Sequence, residues 1–248
     1  MYQLSNFSLL HLALVAATEK NWLENKEIAA VIFDFDGTLY DNTGIALKLI
    51  KARPFDMFKM NAERQARKLL KGSYFESEEK FLDQFFSVAA AKAKCSKEKF
   101  GSWYTKTYLP CMIKVLHKKF PAHPGVEKLF KAIRAKGIKL AILSDYSFVA
   151  QRMQAISISS ENVDIMKSSQ ELGGLKPAPQ LFLKLADQLK VAPEKILVVG
   201  DRDDTDGQGA RNSGMKFVQI RKASTKNEPA PDSHPLLLWE EFAQVFTE

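Results

Sequence analysis

The sequence predicts an α/β fold: a parallel β-sheet covered by helices on both faces, with one helical insertion. Two observations predict it. Short apolar, β-rich runs recur along the chain with helix-patterned stretches between them, and one long region, residues 45–120, contains no such run. Strands that alternate with helices build parallel sheets. The 248 residues suffice for a core domain carrying a smaller inserted one.

The elements follow in order. Residues 29–35 (AAVIFDF) are apolar and end in acidic residues, the pattern of a strand buried on both faces. Residues 139–143 and 196–199 have the same look, 216–220 form a further strand, and 163–166 a weaker one. Between them, residues 126–136 are helical in period and stop at Gly137, and 179–189 space leucines and phenylalanine as a helix does. The insertion reads as helices broken near Gly72-Ser73, Cys95-Ser96 and Pro110.

Composition is that of an ordinary globular chain, with 46% hydrophobic and 26% charged residues. Cys95 and Cys111 lack metal-site spacing and are too few for a disulfide framework, which points to a reduced, cytoplasmic setting. Residues 9–17 are apolar but too short to span a bilayer, and no lysine or arginine precedes them as a signal peptide requires. Residues 1–28 are therefore expected to be a retained helical extension. The net charge of +7 is uneven: residues 46–120 hold 17 Lys+Arg against 7 Asp+Glu. Such a surplus can attract nucleic acid, an anionic membrane or small anionic substrates, or be simply a solvated face, and no basic low-complexity arm, zinc-finger spacing or RNP-like run speaks for nucleic acid.

Four segments fall at the C-terminal ends of predicted strands, where open parallel sheets place ligands. In the first, Asp34 and Asp36 alternate along an extended strand end and so point to one side, and Gly37 allows a tight turn and close backbone approach to an anion. In the second, Ser144-Asp145, the serine either donates to a phosphoryl oxygen or caps the next helix. In the third, Lys176 stands before Pro177 in a stiff loop, as a counter-charge to an anion or as a surface lysine. The fourth, Gly200 to Asp206, crowds Asp201, Asp203, Asp204 and Asp206 after a strand, and hard divalent ions take such oxygen ligands. An EF-hand does not fit, with Thr205 and Asn212 where acidic ligands belong. A solvated acidic loop is the other reading.

Together the segments resemble the four motifs of the haloacid dehalogenase-like superfamily: DFDGTLYD at 34–41, Ser144 in ILSDYS, Lys176 in GGLKPAP and GDRDDTD at 200–206. His123-Pro124-Gly125-Val126, followed by Leu129 and Gly137, resembles that family's lead-in to its second strand. The resemblance runs from residue 29 onward and implies a Rossmann-like catalytic core at 29–44 and 121–248, with a C1-type helical cap at 45–120. It implies a magnesium-dependent phosphatase acting through an aspartyl-phosphate on Asp34, with Asp36 as acid–base. Magnesium would be held by Asp34, the Asp36 carbonyl and Asp201, with Asp206 orienting a bound water. Gly37, Ser144, Asp145 and Lys176 would bind the phosphate. Asp36 favours ester hydrolysis over dehalogenation; a phosphomutase, or a non-enzymatic protein on this fold, is the alternative. The expected partner is a small phosphorylated metabolite, not nucleic acid or a membrane.

Overall fold

The computed structural model describes residues 28–221 and 234–247; the expected N-terminal extension lies almost wholly outside them. Six strands form one sheet, β1 (Ala30–Phe33), β2 (Lys139–Ser144), β3 (Ile165–Ser168), β4 (Ile196–Gly200), β5 (Lys216–Ile220) and β6 (Leu236–Leu237), in the order β3-β2-β1-β4-β5-β6. Every pairing is parallel, and the central strand is in register with both neighbours, Ala30 facing Lys139 on one side and Ile196 on the other.

Alternation along the strands divides the core into two layers. Val31, Phe33, Ile142 and Val199 point to one face, and Ala30, Ile32, Leu143 and Val198 to the other. Helix α6 (Val126–Ala135) and α10 (Trp239–Thr247) cover the first face, where Phe33 meets Phe130 at 5.4 Å and Phe242 at 5.9 Å between ring centroids. Helices α8 (Pro179–Leu189) and α9 (Gln208–Asn212) cover the second, through Leu181, Phe182, Leu185 and Ala210. The α/β expectation is met. β6 and α10 were not foreseen from the sequence, and β3 starts two residues later than the 163–166 expected. Asp164 ends up in the entry turn, its carboxylate accepting from Leu140 N–H at 2.7 Å.

Between β1 and β2 the chain is helical: α1 (Ile45–Ala52), α2 (Met57–Leu69), α3 (Glu78–Ala93), α4 (Lys97–Trp103) and α5 (Leu109–Lys119). Helix α2 ends at Leu69, with Gly72 in the left-handed region at φ +77°, at the break read at 72–73, and the Ser96 hydroxyl caps α4 at the break read at 95–96; Ser77 caps α3 in the same way. The break expected at Pro110 is absent. A π-turn at Tyr104–Tyr108 joins α4 to α5, with Leu109 N–H bonded to the Tyr104 carbonyl, and proline's missing N–H is tolerated in the first turn that follows. Phe81, Phe85, Phe100, Trp103 and Tyr104 pack ring on ring inside this cap. Helix α7 (Val149–Ala155) follows β2.

The cap is tied to the core by backbone. The α2–α3 connection runs beside the loop before α8 as a short antiparallel bridge, Phe75 N–H to Gly173 O at 2.7 Å and Leu175 N–H to Ser73 O at 3.0 Å. Gly173 and Gly174 make this approach possible, since a Cβ on Gly174 would stand 2.5 Å from the Ser73 carbonyl.

Candidate active site

The C-terminal ends of β1, β2 and β4 meet under the cap. Asp34 follows β1 directly, its N–H bonded to Val199 O at 2.8 Å, so the strand pairing fixes its place. Its carboxylate accepts from Thr38 Oγ1 at 3.0 Å and from Lys176 Nζ at 2.5 Å. Lys176 also reaches Asp206 at 2.6 Å and the Leu143 carbonyl at 3.4 Å, and all three charged groups are buried. Lysine in such a place is expensive unless paired. Burial lowers the Lys176 pKa, but Asp206 and Asp34 more than reverse this, so it remains an ammonium.

Asp34, Asp201 and Asp206 form an acidic cluster in which one oxygen of each lies within 4.8 Å of the others. Two glycines make room for it. Gly37, at φ +94°, has the Asp201 carboxylate 2.3 Å from where a Cβ would be, and Gly200 is packed equally hard by Asp206. Burial raises the Asp34 pKa well above its ordinary value; Lys176 offsets part of this, while Asp206 and Asp201 add to it. Three carboxylates facing one ammonium are short of positive charge, and an all-oxygen set of this kind suits a hard divalent cation. The residues therefore fit the metal that the resemblance implies.

The Asp36 side chain stands apart from that cluster. Oδ1 accepts from Tyr40 Oη at 2.5 Å and from Arg152 Nη2; Oδ2 accepts from Ser144 Oγ at 3.2 Å. Burial alone would raise the Asp36 pKa, yet Arg152 and the Tyr40 and Ser144 hydroxyls outweigh it and hold the carboxyl below its usual range. Asp145 lines the same cavity, but its carboxylate accepts from Ser169 Oγ at 2.8 Å and Lys176 N–H at 3.3 Å, which makes it a brace for the lysine loop.

Sequence reading missed Tyr40 and Arg152. A signal existed for the second: Val149, Arg152 and Met153 share one face of α7 and Ile156 follows at its end, so an arginine occupies a stripe that is otherwise apolar and buried. Tyr40 carried no such mark, since a tyrosine after a turn is most simply a packing residue.

Above these groups lies a cavity of about 1030 Å³, walled on the cap side by α2 with Met60, Asn61, Arg64 and Lys68, and by Tyr108 and Met112. The family model of the haloacid dehalogenase-like hydrolases matches residues 28–214. The chain belongs to that family. It is thus a hydrolase, as expected. The glyceraldehyde 3-phosphate phosphatase of Methanopyrus kandleri is 28% identical over 226 residues, which are 83% of this chain and 89% of that one. The phosphoglycolate phosphatase of Aquifex aeolicus is 28% identical over 208 residues, covering 82% and 89%. The fold is that of 2-haloacid dehalogenase from Pseudomonas syringae pv. Tomato DC3000, with a TM-score of 0.62 at 17% identity over 88% of this chain and 97% of that one. No helix among the described residues is long and apolar enough to cross a membrane.

Proposed function

We propose that the protein is a magnesium-dependent phosphatase that hydrolyses a small phosphorylated metabolite through a phosphorylated Asp34. The observation that carries the reading is the separation of two carboxylates two residues apart: Asp34 faces Lys176 and the acidic cluster, and Asp36 faces Arg152, Tyr40 and Ser144. One is placed to attack and the other to move a proton. Relatives that act on glyceraldehyde 3-phosphate and phosphoglycolate support the substrate class.

Asp34, Asp201 and Asp206 would hold the ion, whose charge favours the ionised nucleophile and draws in the phosphoryl group. An Asp34 oxygen attacks phosphorus; the ester P–O bond breaks, and the leaving oxygen takes a proton from Asp36. Water then attacks the phosphorus of the acyl phosphate, giving a proton to Asp36, and the Asp34–phosphorus bond breaks to release inorganic phosphate. In the free site Arg152 favours the ionised Asp36, so the proton it delivers is taken from solvent as the phosphoryl group binds, and the one it gains from water at the end of the turnover returns to solvent. The Lys176 ammonium and the Ser144 hydroxyl stabilise the transferring group's oxygens. Residues 29–44 and 121–248 would serve as the catalytic body and 45–120 as the cap that selects substrate. With Cys95 and Cys111 both free, the enzyme belongs in the cytoplasm.

The test is phosphate release from a panel of phosphorylated metabolites with magnesium present and with it chelated. Release that requires the ion, together with conversion of Asp34 to homoserine when tritiated borohydride reduces the acyl phosphate and expels its phosphate, is the expected result. Label on another residue, or hydrolysis indifferent to chelation, would overturn it.

A further inference from the structure

We infer that Arg152 is a positioning residue that sets the acid–base carboxylate and the phosphate-facing hydroxyl together from one buried fork. The inference rests on the phosphatase reading above. Arg152 has no exposed surface, and nothing about a surface charge explains it. Its two terminal nitrogens divide the work: Nη2 donates to Asp36 Oδ1, and Nη1 donates to Ser144 Oγ at 2.8 Å and to the Tyr146 carbonyl at 3.1 Å. The guanidinium plane is supported by the Phe35 ring, whose centroid lies 4.4 Å from Cζ. Nε is left buried without a hydrogen-bond partner. A buried donor without a partner is a cost, so the orientation is one that serves Asp36 and Ser144 rather than one that satisfies the arginine.

The consequence for Ser144 follows from counting lone pairs. Its oxygen has two, and they receive Arg152 Nη1 and the Tyr146 N–H, the latter at 3.2 Å. The hydroxyl can therefore only donate. Its one hydrogen goes to Asp36 Oδ2 at 3.2 Å, and it is the hydrogen that a phosphoryl oxygen arriving in the cavity would take instead. Arg152 thus keeps Asp36 off the acidic cluster and makes Ser144 a dedicated donor. Lysine cannot substitute for this, since one ammonium does not span both partners as a planar fork does.

The experiment compares kcat/KM of the full-length protein on an alkyl phosphate, whose leaving oxygen needs a proton, and on an aryl phosphate, whose leaving oxygen needs less. Asp36→Asn sets the full size of the difference between them. Arg152→Gln is expected to lose about a hundredfold on the alkyl ester, the penalty of a misplaced catalytic group, and several-fold less on the aryl ester. Arg152→Lys keeps the cation and most of the volume, and is used where the glutamine variant is poorly folded; it should show the same difference, because one ammonium cannot hold both partners. Tyr40→Phe removes the other donor on Oδ1 and, with Arg152 in place, should change the alkyl-to-aryl ratio less than threefold. A residue that only supports the fold would lower both substrates equally, and equal losses in the Arg152 variants overturn the inference. A crystal structure of Arg152→Lys judges it without activity: Asp36 should have left its present position, and an unmoved Asp36 rejects the role of Arg152. Failure of the unaltered protein to hydrolyse either ester counts against the phosphatase reading, and the position of Asp36 still decides this one.

Discussion

The two walls of the cavity are built on different principles. On the sheet side every charged group has a defined partner and little freedom: Lys176 with Asp34 and Asp206, Arg152 with Asp36. The cap side is mixed: Arg67 of α2 is held by Glu63, the Tyr104 hydroxyl and the Asp145 carbonyl, whereas Arg64 and Lys68 farther out make no hydrogen bond or ion pair among the described residues, and their apolar neighbours Met57 and Phe58 are 45% and 77% exposed. The sheet wall is preorganised throughout, as the proposed reaction requires; the cap wall is fixed at Arg67 and Glu63 and loosely furnished only around Arg64 and Lys68. Chemistry needs groups held to within a fraction of an ångström, whereas selection tolerates adaptable side chains.

The comparison is sharpest where the first wall is broken. Asp34→Asn removes the proposed nucleophile without changing the shape of the site, and kcat should fall on the order of 10⁵-fold, as for other deleted nucleophiles. Quenched reactions with radiolabelled substrate should then show no phosphorylated protein. Retention of labelled protein in this variant would move the nucleophile elsewhere.

The next effect is on stability. Lys176→Met leaves Asp34 and Asp206 buried without their ammonium, and breaking such an arrangement costs about 3–5 kcal/mol. Urea denaturation in chelator should show the loss, and magnesium should recover part of it by binding the folded carboxylates. Magnesium that raises the stability of neither the unaltered protein nor the variant would mean that the three aspartates do not hold the metal.

These residues were also the legible part of the sequence. A strand that ends in carboxylates, followed by further strands that end in a serine, a lysine and more aspartates, can be read in order because parallel sheets bring strand ends to one edge. The Arg152–Asp36 pair could not be read, since its partners are 116 residues apart and nothing local records the contact. The helical content of the cap was legible from the missing β-runs. Which cap residues face the cavity was not, because that depends on how α2 is rotated against the core, and the backbone clamp at Gly173 and Gly174 sets this from outside the cap.

That clamp joins the two walls and gives a smaller effect. Gly174→Ala introduces a Cβ 2.5 Å from the Ser73 carbonyl, with Tyr74 Cα at 3.3 Å. The cap connection must shift, at a cost of about 1–3 kcal/mol as for other overpacked sites. Because the same loop carries Lys176, kcat should fall together with stability. A variant that melts lower yet turns over normally would show that cap placement and lysine placement are independent.

The smallest effect belongs to the free cations of α2. Arg64 and Lys68 are one helical turn apart on the exposed cavity side and compete with no internal carboxylate, so whatever they attract comes from solution. Exposed charges of this kind steer and weakly hold an anion rather than orient a reacting bond. Arg64→Gln and Lys68→Gln should therefore raise KM by roughly two- to fivefold each and leave kcat unchanged, the pattern of lost uniform binding. The increase should shrink as ionic strength rises from low to about 0.3 M, where the Debye length is only about 6 Å. A substrate with a second anionic group should feel both changes more than one whose remainder is neutral, because, with the phosphate at Lys176 as proposed, only the first has charge left to meet them. A fall in kcat in either variant, independent of salt, would mean that the cap wall takes part in the reaction and would erase the distinction drawn between the two sides.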